Sequence, residues 1–165
     1  VMARAVPAGL PVIINANGNA ARFAGFGLPV VADVIEGFAG PLAGVLTGLE
    51  TAAKHHVDIT HVVSLATDAP FLPRDLVMRL CSAVADGADM AQARSHGRRH
   101  PVFAIWPVAV APALRRALVD DGLRKIDDFT SVYNCAIVDF EGMPDPFTNV
   151  NTPDDFAQAE ALIAG

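Results

Sequence analysis

The sequence has little cysteine and no long hydrophobic run. The first argues against a cysteine metal site, and the second argues against a membrane-spanning helix. Its two cysteines, Cys81 and Cys135, lie far apart and do not have the spacing of a metal site. We expect both thiols to be buried, in a protein from a reducing compartment. No uninterrupted apolar run approaches the roughly 20 residues of a membrane-spanning helix. These features predict a cytoplasmic protein with no membrane partner.

The sequence also lacks an excess of positive charge, and we do not expect its opening residues to be a signal peptide. The formal net charge is −6 and there is no dense basic block, so we do not expect a surface for nucleic acid. An acidic protein of this kind binds a nucleotide only with local help from Mg²⁺, backbone amides or a few basic side chains. The opening residues lack the charged start and apolar stretch of a signal peptide.

The pattern of hydrophobic residues is typical of a single α/β domain spanning residues 1–165. Hydrophobic residues make up 52% of the chain, which is enough for a sizeable core. Strands are predicted at 11–16, 28–31, 61–66, 89–93, 101–106 and 134–140. Helices are predicted at 19–25, 40–56, 73–85, 111–119 and 153–164. The alternation indicates a three-layer domain with a mainly parallel sheet, and the segment 89–106 suggests one antiparallel strand.

Asn and Asp follow the predicted strands at the positions where ligands usually bind. In open α/β sheets the ligand lies beyond the carboxyl ends of the strands. The residues found there are Asn15, Asp33, Asp68, Asn149 and Asn151. Because Asn and Asp are also common in turns, each of these positions has a plain turn as its alternative.

Asp68 is the sharpest of these candidates. It leaves a buried apolar strand into a turn that Pro70 stiffens. Proteins commonly hold Mg²⁺ through one carboxylate together with waters and substrate phosphates. The sequence is therefore consistent with a magnesium site at Asp68, or with an ordinary turn aspartate.

The run from Asn149 to Asp155 opens the last helix. Thr152 is placed as the N-cap, Pro153 suits the first helical position and Asp155 is placed as the capping-box acid. In an extended segment, Asn149 and Asn151 would point to the same side, toward a polar ligand or a metal-bound phosphate. The alternative is a capped helix behind an Asn-rich turn.

A basic segment follows the fourth predicted strand. Arg98, Arg99 and His100 are expected in a loop, where they would meet phosphates or an anionic pterin-type ligand, or would form a solvated hairpin. Phe103 and Trp106, on the next strand, are expected to share one face and pack in the core.

Taken together, these pieces resemble the molybdenum cofactor guanylyltransferases. The resemblance covers nearly the whole chain, and its most specific motif is Asn-Val-Asn-Thr-Pro. The matching motifs are Ile14-Asn15-Ala16-Asn17, Gly40-Pro41-Leu42-Ala43-Gly44, Ala66-Thr67-Asp68-Ala69-Pro70-Phe71-Leu72, His100-Pro101-Val102-Phe103 and Asn149-Val150-Asn151-Thr152-Pro153.

The resemblance implies a Rossmann-like nucleotidyltransferase that moves GMP from GTP to molybdopterin and releases pyrophosphate. Mg²⁺ is the implied cofactor, and cofactor-insertion chaperones and molybdoenzymes are implied partners. The implied roles are nucleotide binding for Asn15, Asp33 and Asp68, metal binding for Asp68, catalysis for Asp68, Asn149 and Asn151, and the pterin side for Arg98, Arg99 and His100.

One part of the family pattern is not found in this sequence. The family opens with a strand and a loop of the kind Leu-Ala-Gly-Gly-x-Ser-x-Arg-Met-Gly, whose backbone amides hold the triphosphate, followed by a lysine. Residues 1–8 instead resemble the tail of the first helix. We expect a sheet edge to be exposed where that strand would pair, and we expect the 165-residue chain not to turn over GTP by itself. A cytidylyltransferase and a non-catalytic remnant that binds the pterin or a partner are the alternatives.

Overall fold

A computed structural model of the chain describes residues 1–37 and 40–164, the last two of these by their backbone alone. The strands are β1 (Ile14–Asn15), β2 (Val30–Val31), β3 (His61–Ser64), β4 (Met90–Ser95), β5 (Arg98–Pro107) and β6 (Cys135–Asp139). The α-helices are α1 (Met2–Ala5), α2 (Pro41–His55), α3 (Leu76–Ala85), α4 (Ala111–Val119), α5 (Ile126–Thr130) and α6 (Pro153–Ala164). Two 3₁₀ helices, Ala20–Phe26 and Val108–Val110, complete the elements of the described ranges.

The main sheet has four strands in the order β3-β5-β4-β6. β4 and β6 are parallel, whereas β5 runs antiparallel to both β3 and β4. The prediction of one antiparallel strand within 89–106 is thus confirmed. β1 and β2 pair in parallel as a separate two-stranded sheet, and in the described part of the chain β3 is paired on one side only.

The hairpin that joins β4 to β5 is tighter than the sequence suggested. Its turn is His96-Gly97, where both residues have positive φ angles of 45° and 76°. β5 therefore begins at Arg98, and the expectation that Arg98, Arg99 and His100 form a loop is wrong. They are the first residues of the strand, because the turn needs only two residues to reverse the chain.

Helices cover both faces of the main sheet, which confirms the three-layer prediction. One hydrophobic cluster joins α2, α4 and α5 to one face and contains the fully buried Trp106. The other cluster joins α1 and α3 to the opposite face and contains Phe103. Phe103 and Trp106 are three residues apart in a strand, so the expectation that they share a face is wrong.

Helix α2 links the two sheets. Pro41 occupies its first turn, and Leu42, Val45, Leu46 and Leu49 form a buried apolar stripe at helical spacing. This helix contacts β1 as well as β3. The position of the small sheet relative to the large one therefore depends on how closely α2 packs against β1.

The two cysteines differ in their exposure. Cys81 is exposed, and Cys135 is half-buried with its pKa raised to about 11 by burial, so the prediction of two buried thiols is wrong for Cys81. Neither thiol is in a disulfide. Within the described ranges, each helix is too short or too polar to cross a membrane.

Candidate active site

The first group of candidate residues lies where β1 and β2 end. Nδ2 of Asn15 donates to Oδ1 of Asp33 at 2.9 Å and to the carbonyl of Val31 at 3.1 Å. Nδ2 of Asn17 donates to Oδ2 of Asp33 at 2.8 Å, and Oδ1 of Asn17 accepts the backbone N–H of Asp33 at 2.9 Å. A carboxylate only accepts hydrogen bonds, so the two amides fix the half-buried Asp33 side chain from both sides.

Asn17 also belongs to this group, although its place in the motif Ile14-Asn15-Ala16-Asn17 gives it no role by itself. It stands two residues after Asn15, the same spacing that drew attention to Asn149 and Asn151. Because β1 ends at Asn15, the two side chains leave the strand on the same side and reach the same carboxylate. The same spacing argument, applied at this strand end, would have identified Asn17.

Two residues of α2 hold this group in place. A Cβ atom on Gly44 would lie 2.5 Å from Oδ1 of Asn15, so the helix approaches this closely only because residue 44 is glycine. One turn later, Oγ1 of the fully buried Thr47 accepts the backbone N–H of Val34 at 3.1 Å and donates to the carbonyl of Ala43 at 2.8 Å. Thr47 thereby anchors the residue that follows Asp33.

Asp68 belongs to a second group. It follows β3 by four residues, and its Oδ1 atom is buried without a hydrogen-bond partner in the described structure. A buried carboxylate oxygen without a donor or cation is costly, which makes it a natural ligand for a positive ion. The backbone carbonyl of Asp68 accepts the N–H of Val150 at 2.7 Å.

This backbone hydrogen bond brings the run from Asn149 to Asn151 beside Asp68. The two asparagines are exposed and do not lie at a strand end, because β6 ends at Asp139 and an irregular segment separates them from it. The expectation that they directly follow the final strand is therefore wrong, although the segment does reach the strand end that carries Asp68. Phe147 explains the path, since its burial draws the segment back onto the core.

The predicted capping box is confirmed. The backbone N–H of Asp155 donates to Oγ1 of Thr152 at 3.1 Å, and the N–H of Thr152 donates to Oδ2 of Asp155 at 3.0 Å. Oδ2 also accepts the N–H of Asn151 at 3.2 Å. The Thr152 side chain, and then the N–H groups of Asn151 and Thr152, hold the pKa of Asp155 below its usual value. The start of α6 and the end of the Asn149–Asn151 run are therefore fixed together.

The third group, at the start of β5, divides into two kinds of residue. Arg98 and Arg99 are exposed. His100 is half-buried, and its Nε2 lies 2.7 Å from Oγ of the buried Ser95. Burial lowers the pKa of His100 even though the neighbouring Asp145 opposes that change. His100 is thus engaged within the protein, whereas the two arginines are available to a ligand.

Asp145 was not anticipated from the sequence. Burial would raise the pKa of Asp145, but hydrogen bonds from the N–H of Phe147 and the hydroxyl of Ser95 outweigh it and lower the pKa. Those bonds measure 3.0 Å and 2.7 Å at Oδ1. Nothing in the local pattern identifies Ser95 or Asp145, because the two are fifty residues apart and meet only in the folded chain.

Comparison with known proteins gives a consistent result. The family described as "MobA-like NTP transferase domain" matches residues 1–132. A Rhodopseudomonas palustris protein named molybdenum cofactor guanylyltransferase is 52% identical over 164 residues, which are 98% of this chain and 78% of that protein.

Two solved structures share the fold at lower identity. Molybdopterin-guanine dinucleotide biosynthesis protein A from Archaeoglobus fulgidus matches with a TM-score of 0.72 and 22% identity, over 92% of this chain and 78% of its own. A Mycobacterium tuberculosis protein in complex with manganese matches with a TM-score of 0.64 and 19% identity, over 92% of this chain and 79% of its own. At 22% and 19% identity, the two solved structures support the fold alone. From the family match and the close relative, the chain belongs to the MobA-like nucleotidyltransferases, among the molybdenum cofactor guanylyltransferases.

Proposed function

We propose that this protein transfers GMP from GTP to the terminal phosphate of molybdopterin and releases pyrophosphate, in the cytoplasm. The name of the R. palustris relative supports this activity. The observation that carries the site assignment is Oδ1 of Asp68, which is buried and has no hydrogen-bond partner among the described residues. The segment beside it is fixed by the Val150 N–H. Asp68, Asn149 and Asn151 are the proposed catalytic residues.

The residues present fit a divalent cation at Asp68, and we assign Mg²⁺ to it. In the described part of the chain no three His, Cys, Asp or Glu side chains cluster as a ready metal cage. This is the arrangement expected for Mg²⁺, which takes one or two carboxylates and fills its other positions with water and substrate phosphates. The manganese complex of the M. tuberculosis protein supports use of a divalent cation in this fold. The ion supplies charge that offsets the triphosphate.

Selection of the base is assigned to Asp33. Each of its two carboxylate oxygens already accepts one amide N–H, from Asn15 and from Asn17. A carboxylate has about four acceptor positions, so roughly two remain for a ligand. Guanine presents two adjacent N–H donors on one edge, whereas cytosine presents a donor beside an acceptor. The remaining acceptor positions of a fixed carboxylate therefore suit guanine better.

Asn149 and Asn151 are assigned to the acceptor phosphate. Attack of that phosphate on the α-phosphorus of GTP brings two anions together, so catalysis depends on positioning and on offsetting charge. Amide side chains donate hydrogen bonds to phosphate oxygens without carrying charge of their own. Both side chains are exposed beside Asp68, which leaves them free to contact a substrate.

The pterin side of the site is assigned to Arg98 and Arg99, whereas His100, which the resemblance also places there, is held within the protein by Ser95. The exposed guanidinium groups of Arg98 and Arg99 suit an anionic ligand, because arginine binds phosphate with two parallel hydrogen bonds. Cofactor-insertion chaperones and molybdoenzymes are the proposed recipients of the product.

A chimera tests the activity. An opening strand and a glycine-rich loop of the family pattern, followed by a lysine, would be joined to Val1, and pyrophosphate release from GTP with molybdopterin would be measured. We expect turnover with GTP, little with CTP, and none from the 165-residue chain alone. Asp68→Asn should abolish turnover, whereas Asp58→Asn, an exposed carboxylate before β3, should not. Preference for CTP, or full activity of Asp68→Asn, would contradict the proposal.

A further inference from the structure

Ser95, His100 and Asp145 form a hydrogen-bonded group that joins the β4–β5 hairpin to the segment leading to Asn149. We call these three residues the clamp. Oγ of Ser95 lies 2.7 Å from Nε2 of His100 and 2.7 Å from Oδ1 of Asp145. Ser95 is 1% exposed, so its hydroxyl is not accessible to a substrate as a nucleophile. The clamp is a structural link centred on a buried hydroxyl, with His100 and Asp145 half-buried on either side.

The direction of each hydrogen bond follows from the number of available protons. A serine hydroxyl has one proton, and an ionised carboxylate only accepts, so Ser95 donates to Asp145. The contact with His100 must then have Nε2–H as its donor and Oγ as its acceptor. The clamp therefore contains two hydrogen bonds in series. His100 donates its Nε2–H to Ser95, and Ser95 donates its hydroxyl proton to Asp145.

The clamp fixes Phe147 as well. The backbone N–H of Phe147 donates to Oδ1 of Asp145 at 3.0 Å. Its ring stacks on the imidazole of His100 with centroids 4.5 Å apart and packs against Phe103 at 4.9 Å and Phe140 at 5.6 Å. Phe147 is 3% exposed and stands two residues before Asn149.

The segment is thus held at two points close to each other in sequence. The clamp and the stacked rings hold residue 147, and the N–H of Val150 is held by the carbonyl of Asp68. Three residues span at most about 10 Å, so a fixed residue 147 leaves Val150 little freedom to move away from Asp68. The position of Asn149 then depends on groups that never reach the substrate.

We propose that Ser95, His100 and Asp145 are positioning residues that set the distance of Asn149 and Asn151 from Asp68. His100 acts on the reaction through Phe147 and the segment that follows it, and does not contact the pterin. The importance of this distance for catalysis rests on the proposed function, but the mechanical link itself does not.

Hydrogen exchange of the Val150 amide tests the link in the 165-residue protein without any activity assay. Ser95→Ala breaks both bonds of the chain, and we expect roughly tenfold faster exchange at Val150 relative to amides of the β3–β5 ladder. His100→Phe keeps an aromatic ring against Phe147 but removes the donor, and should raise exchange similarly. His100→Gln supplies an amide N–H near the position of Nε2, and should restore slow exchange.

A second buried hydroxyl provides the matched control. Thr130, at the end of α5, is bonded to Gln92 on the other face of β4. Thr130→Val should lower only the global stability of the protein. The exchange rates of the Val150 amide and of the β3–β5 amides should therefore rise by the same factor. The clamp is ruled out if His100→Phe exchanges like the unaltered protein at Val150, or if Ser95→Ala and Thr130→Val behave alike. Either result leaves the guanylyltransferase activity to be judged separately by the chimera.

Discussion

Gly44 and Asn15 are in such close contact that a Cβ atom on residue 44 would lie 2.5 Å from Oδ1 of Asn15. The donor end of the same amide is held by Val31 and Asp33. Asn15 therefore has no free rotation by which to avoid an added methyl group. The glycine sets how closely α2 approaches β1 and, through Asn15, where Asp33 lies.

Gly44→Ala is expected to displace Asn15 from Asp33 and to weaken binding of GTP. Alanine favours the helix by about 0.8–1 kcal/mol over glycine, so the clash should cancel much of that gain. Gly48→Ala, one turn later, is the matched control, because among the described residues its Cβ would meet just Cγ1 of Val62, at an ordinary contact distance of 3.4 Å. Denaturant unfolding should show a stabilised Gly48→Ala and little or no gain for Gly44→Ala. Equal stabilisation of the two variants would mean that the Asn15 side chain moves away from the added methyl group at no cost in stability.

Thr47→Val tests the anchor behind Asp33. Valine keeps the shape of threonine but removes the hydroxyl that bonds Val34 and Ala43, so the N–H of Val34 loses its acceptor and an apolar group replaces a fully buried hydroxyl. We expect a loss of about 1–3 kcal/mol in the free energy of unfolding. Chemical shifts of residues 33 and 34 should also change. Thr60→Val, at an exposed site, should leave both measurements nearly unaltered. Unchanged shifts at residue 33 in Thr47→Val would show that Asp33 is positioned by other contacts.

Acid should destabilise the protein through the clamp. Burial holds the pKa of His100 below 6.5, so between its folded pKa and 6.5 the unfolded chain binds more protons than the folded chain. Stability is then fully present above about pH 6.5 and falls as the pH drops through that window. Asp145, whose pKa lies below 3.8, adds a loss of the same sign at lower pH.

The measurement is the free energy of unfolding from about pH 7 to about pH 5, the range in which His100 of the unfolded chain takes up its proton while Asp145 stays ionised in both states. The unaltered protein should lose stability over this range, and His100→Gln should lose less because it has no proton to bind. Parallel curves for the two proteins would show that His100 does not contribute.

Local signals in the sequence predict most of the helices and strands, and they predict the capping box of the last helix. The capping box at Thr152 and Asp155 involves neighbours in sequence, and helix 111–119 carries its full apolar pattern, so the sequence predicts both at their observed positions. The sequence does not predict α5, because its five residues are fewer than two helical turns and show no repeat.

The clamp and the placement of Asn149 cannot be predicted from the sequence, for a different reason. Ser95 and Asp145 carry no local pattern, and they meet only because β4 lies between β5 and β6 in the sheet. Strand order is a property of the whole chain, and periodicity in a short window does not contain it. The same limit explains why Asn149 and Asn151 were assigned to a strand end, when burial of Phe147 is what directs them.

The most direct test of the account is where a paramagnetic cation binds. Mn²⁺ added at substoichiometric amounts broadens amide resonances close to its site and detects weak binding. We predict selective broadening at Asp68, Ala69 and Asn149–Asn151, lost in Asp68→Asn and kept in Asp58→Asn. Broadening that survives in Asp68→Asn, or that centres on the exposed pair Asp120 and Asp121, would contradict the assignment of Asp68 as the metal-binding residue.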